Sequence, residues 1–226
     1  MRDQRLRTIW HNLRAYGRRS PMTTSLLVLN SAVFLGYQRA HVTVGHLLAQ
    51  GGVLSADVGG LHPGNWWRYP MSVVLSGGWW DYGFNLAALA ALGDWLEPLG
   101  RWWQYGMLYA LAGLGGSIAY ALFGGPHGIA AGASGAIFGL LGALLTAARH
   151  QPNTQAVRRA VGLTVALNLP LNFLSGIAWQ AHAAGFVIGL VGGWLLDYGR
   201  AADACGAMDL AARTSVAHEG GGPFML

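Results

Sequence analysis

The sequence predicts an all-α membrane protein with six transmembrane helices, and three observations carry that expectation. The first is composition: 53% of the 226 residues are hydrophobic and 10% are charged, less than half the charged share of an ordinary soluble domain. The 35 glycines and 10 tryptophans match the small packing residues and interfacial anchors of membrane helices. The second is a succession of apolar segments, for which 226 residues leave room at roughly 20 residues per span. The third is charge placement. All 14 basic residues are arginine, and six spans with a cytoplasmic N-terminus put every one of them inside except Arg39 and Arg68, as the positive-inside rule requires. The net charge of +5 is therefore a topology signal rather than a nucleic-acid footprint. The lone Cys205 excludes an intramolecular disulfide framework and a cysteine-based zinc site.

Taken in order, residues 1–20 form a basic cytoplasmic segment, with Leu6, Ile9, Trp10 and Leu13 on one side of an expected amphipathic helix. The membrane domain is expected over 21–198. Its first span runs from about Met22 to Tyr37 and, with no small-x-small site after it, reads as uncleaved rather than as a signal peptide. Residues 38–79 are too polar to span and too apolar for a solvated loop; with Gly64-Asn65-Trp66-Trp67-Arg68-Tyr69-Pro70 among them, they predict a first loop lying in the membrane interface. Further spans follow at about 81–96, 103–123, 134–148, 158–175 and 180–197. Gly135, Gly139 and Gly142 on the fourth, and Gly185 and Gly189 on the sixth, sit at helical spacing and read as packing residues. Residues 199–226 are polar and glycine-rich, an expected flexible cytoplasmic tail.

Polar side chains at membrane depth are costly and are either functional or paired. They are Asn30, Asp81, Asn85, Asp94, Ser117, Ser134, Asn168, Asn172 and His182. Ser134 opens the fourth span in Gly132-Ala133-Ser134-Gly135-Ala136-Ile137-Phe138-Gly139. A serine there has free backbone N–H groups and the positive end of the helix dipole beside it, which suit a tetrahedral oxyanion; taken alone, the motif is better accounted for by an N-cap in a packing motif. His182 opens the sixth span, which also starts outside, so the two lie at similar depth. An imidazole activates a serine hydroxyl, whereas an interfacial histidine can simply be hydrated. Asn85, early in the second span, is either an oxyanion donor or an interhelical hydrogen-bond partner. The histidines have no metal-ligand spacing, and neither metal nor cofactor is expected.

The order Trp67-Arg68, Asn85, Glu97-x-x-Gly100-Arg101, Gly132-Ala133-Ser134-Gly135 and Ala181-His182-x-x-Gly185-x-x-x-Gly189 resembles the rhomboid intramembrane serine proteases, over about 60–200. The resemblance implies a Ser–His dyad without an acid. Ser134 would be the nucleophile, His182 the general base and acid, and Asn85 with the Ser134 N–H the oxyanion donors. Phe138 would pack on the imidazole, Arg68 would tie down the first loop, and Glu97 and Arg101 would be structural. The implied partner is the transmembrane segment of another membrane protein, cut near the outer leaflet, in a bacterial plasma membrane with both termini cytoplasmic. Residues 170–178 fall where a substrate gate would lie. One position departs from the pattern: Asp81 stands where the family usually has His, four residues before the Asn. It shares a helix face with Asn85. Ionised, it would repel the oxyanion; protonated, it would donate to it. The expectation is lower activity or a preference for acidic pH. A relative that binds transmembrane helices without cutting them stays open as the alternative, and a small channel or transporter is a third class, without its expected inverted repeat.

Overall fold

The computed structural model describes residues 16–40, 43–150, 154–171 and 178–199. The expected amphipathic N-terminal helix, most of the proposed gate and the C-terminal tail lie outside the described residues.

The described chain is mostly helical. Helix α1 is Pro21–Arg39, and two short helices in the first loop are α2 (Val44–Gly51) and α3 (Arg68–Val74). They are followed by α4 (Trp79–Leu96), α5 (Trp102–Phe123), α6 (Ser134–Ala147), α7 (Thr154–Leu171) and α8 (Trp179–Leu195). The six longer helices overlap the six apolar segments. By length and apolarity one described helix, α5, qualifies as a membrane span.

Helix α6 is the axis. Every residue from Gly135 to Leu144 is buried, with α8 and α5 packed most extensively around it. The α6–α8 contact is a register of small residues. A Cβ at Gly185 would overlap the Gly135 carbonyl, one at Gly189 the Gly139 carbonyl, and one at Gly193 would stand 3.0 Å from the Ala143 Cα. Steps of four on both helices thus bring backbone against backbone, the approach that only small residues permit.

Long-range polar ties fix the periphery. Glu97 is buried and accepts from the Met22 N–H (2.7 Å), the Thr23 N–H (2.8 Å) and the Thr23 hydroxyl (2.6 Å). It supplies the cap that Ser20, the residue before α1, does not make. Arg68 donates to the Ala49 and Gly52 carbonyls at 2.8 and 3.0 Å, fastening the first loop to itself. Two two-residue strands, β1 (Val53–Leu54) and β2 (Ile129–Ala130), pair antiparallel and join the first loop to the glycine-rich segment before α6.

Candidate active site

Several polar groups of the spans have local, structural partners. Asn30 donates to the Leu26 carbonyl at 2.8 Å, and Ser117 is 2.8 Å from the Ser72 hydroxyl. The side chain of Asn168, and Asn172, lie outside the described residues. Of the others, His182 contacts Ser134, Asp81 borders the same small space, and Asn85 is bonded to Asp81.

Ser134 is the first residue of α6, so its backbone N–H has no intrahelical acceptor. The chain enters through Gly132, whose φ of 144° favours glycine and whose N–H is held by the Ser72 carbonyl at 2.8 Å. His182 lies in the first turn of α8, and its Nε2 is 2.8 Å from the Ser134 Oγ. The imidazole is buried. The Phe138 ring stacks on it with centroids 4.5 Å apart and planes 7° from parallel. Phe138 is one turn beyond Ser134, hence on the same face of α6. The glycine register described above sets this pairing: with Gly135 against Gly185, Ser134 and His182 meet near the N-terminal ends of both helices.

Asn85 and Asp81 also share a face of α4. The Asn85 amide donates to Asp81 Oδ1 at 2.7 Å, and the Gly77 N–H donates to Asp81 Oδ2 at 2.8 Å. Both carboxylate oxygens are thus engaged as acceptors. A Cβ placed on Gly132 would stand 3.6 Å from the Ser134 Oγ and from each Asp81 oxygen. That small space, bordered by hydroxyl and carboxylate, is kept open by a glycine.

One group in the first loop has no counterpart in the sequence reading. Asp57, in the first loop, accepts from the Ser55 hydroxyl at 2.6 Å and from the His127 N–H at 2.7 Å. These bonds, the Ser55 hydroxyl first, hold its pKa below the ordinary carboxylate value. Ser55 and Gly128 exchange backbone and side-chain bonds at 2.9–3.0 Å. His127 itself takes a positive φ of 54°. The only sequence hint is local, a serine two residues before an aspartate; the second partner, His127, is 70 residues away. Among the described residues no cluster of His, Cys, Asp and Glu could hold a metal ion.

The fold and the site together define a helical protein with a serine–histidine pair at the adjoining ends of two packed helices. The rhomboid domain family model matches residues 63–198, and the chain belongs to the rhomboid family, whose members are integral membrane proteins. Rhomboid protease GluP of Bacillus subtilis is 36% identical over 132 residues, covering 58% of this chain and 25% of that protein. RHOMBOID-like protein 5 of Arabidopsis thaliana is 34% identical over 138 residues, covering 59% and 45%. YdcA of Bacillus subtilis is 28% identical over 191 residues, covering 83% and 92%. The chain thus spans a quarter to a half of the first two relatives.

Proposed function

We propose that the protein is a serine endopeptidase of the membrane interior, with six transmembrane helices, acting on transmembrane segments of other membrane proteins. The observation that carries this is the 2.8 Å contact between Ser134 Oγ and His182 Nε2 at the start of a buried helix. In the reaction His182 takes the hydroxyl proton as Oγ attacks the scissile carbonyl. The tetrahedral oxyanion takes hydrogen bonds from the Ser134 N–H and the Asn85 amide. His182 then passes the proton to the leaving amine. Water, activated by the same imidazole, hydrolyses the acyl-enzyme. Phe138 keeps the imidazole oriented, the task an acid performs in a triad.

The Asp81 contact supports a second feature, a slow enzyme. The Asn85 amide carries two N–H bonds; Asp81 takes one, leaving a single donor for the oxyanion with a carboxylate close behind it. In the limit this is the helix-binding relative that does not cut. Fluorophosphonate labelling of the purified protein decides between them without a known substrate. The expected result is labelling of wild type and none of Ser134→Ala or His182→Ala; a folded wild type that takes no label would leave the non-cleaving reading.

A further inference from the structure

Away from the catalytic pair, α1, α3 and α5 enclose an open groove of about 400 Å³. Its wall is apolar: Met22, Leu26, Leu29, Val73, Trp103 and Leu114 are among the residues that form it. Along α5 it runs from Trp102 to Leu114, about 18 Å at 1.5 Å per residue. That length is close to the depth of one leaflet, about 15 Å. An open apolar groove of this length suits one extended acyl chain lying along α5.

One end of the groove is charged. Arg18 and Arg19 are exposed just before Met22, and Arg101 is exposed just before Trp102. The Arg19 guanidinium reaches the Asp94 carbonyl at 3.4 Å, and Glu97 binds the Met22 N–H, so the ends of α1, α4 and the start of α5 meet here. Three arginines stand against Asp94 and Glu97, and Glu97 is buried and committed to the N-terminus of α1.

We propose that this groove binds one anionic phospholipid, an acyl chain along α5 and the phosphate at Arg18, Arg19 and Arg101. The charge at the end of an otherwise apolar channel selects this occupant over a helix or a neutral lipid. The site rests on the membrane reading of the chain and is independent of the catalytic one.

The test is native mass spectrometry of the full chain released from detergent, with phosphatidylglycerol or phosphatidylcholine of identical chains added. One phosphatidylglycerol is retained, preferred at least about fivefold, the factor one arginine near an anionic surface supplies. Arg18→Gln/Arg101→Gln lowers it to the phosphatidylcholine level. Gly106→Leu, which fills the groove floor beside Met22, lowers retention of both. Equal retention of the two lipids by wild type overturns the proposal, as does a folded Gly106→Leu chain with wild-type retention or displacement of the lipid by an added transmembrane peptide. Should Gly106→Leu not fold, quenching by phosphatidylglycerol brominated on its chains is compared in wild type and Trp102→Phe/Trp103→Phe. Less quenching in the variant supports the site and equal quenching overturns it. Fluorophosphonate labelling of the same samples reports the catalytic reading separately.

Discussion

At the scale of single residues the catalytic proposal turns on how Asn85 divides its amide between Asp81 and an oxyanion. Removing one oxyanion donor costs on the order of 10²–10³ in kcat, so Asn85→Ala is expected to lower turnover of a transmembrane substrate about a hundredfold with little change in KM. Asp81→Asn removes the negative charge at nearly constant size, and Asp81→His places an imidazole there. Both are expected to raise the rate at neutral pH severalfold and to flatten any preference for acid. The measurement is kcat against pH for the three variants; unchanged rate and profile in both Asp81 variants would remove Asp81 from the argument. Much of this was legible in the sequence, because Asp81 and Asn85 are one turn apart and Ser134 and Phe138 likewise, and a spacing of four places side chains on one face whatever the tertiary fold. That His182 meets Ser134 was inferred from equal depth, and the contact is set by Gly135 and Gly185, whose packing role was also readable.

At the scale of elements, the α6–α8 seam and the ties across loops set how firmly the pair is held. A methyl at Gly189 would overlap the Gly139 carbonyl. Overpacking of this kind costs about 1–3 kcal/mol, so Gly189→Ala is expected to lower the unfolding temperature in detergent and to separate Ser134 from His182. Differential scanning fluorimetry together with fluorophosphonate labelling reads both effects. The tie from Asp57 to Ser55 and His127 carries its own pH signature. Its folded pKa is lowered, so its contribution is complete above the ordinary value of 3.8 and is lost as pH falls through the lowered one. The unfolding temperatures of wild type and Asp57→Asn should differ by a constant amount above about pH 4 and converge below it. A difference that does not shrink at all as pH falls below about 4 would assign the effect to packing instead. These ties were not legible in advance. The Asp57–His127 bond joins residues 70 apart, and the Glu97–Thr23 bond residues 74 apart. Unlike the periodic faces of helices, a polar pairing across such a separation leaves no pattern in the chain, and only the fold brings the partners together.

At the scale of the whole molecule, tryptophan and arginine speak to the same orientation. All nine described tryptophans are exposed, unusual for a soluble surface. Seven of them sit at helix ends: Trp79, Trp80 and Trp179 at the starts of α4 and α8, Trp95 and Trp194 at their far ends, and Trp102 and Trp103 at the start of α5. If α4, α5 and α8 cross the membrane alternately, these fall into two levels, as interfacial anchors do. The level holding Trp95, Trp102 and Trp103 is also the level of Arg18, Arg19 and Arg101, which the positive-inside rule assigns to the cytoplasm. The Ser134–His182 pair then lies toward the opposite face, where Gly125 and His127 belong to the loop before α6. The chain carries a built-in probe of this arrangement, because Cys205 is its single thiol and follows the sixth apolar segment. A membrane-impermeant maleimide applied to intact cells should leave Cys205 unlabelled and should modify it once the membrane is permeabilised. In a Cys205→Ser background, Gly125→Cys should show the reverse, labelling in intact cells. Labelling of Cys205 from outside would invert the topology or remove a span, and with it the placement of Ser134 near the outer leaflet. The paired outcome is demanding because an odd number of spans between the two thiols is required for them to differ, and the proposed six-span topology counts α6, α7 and α8 as three.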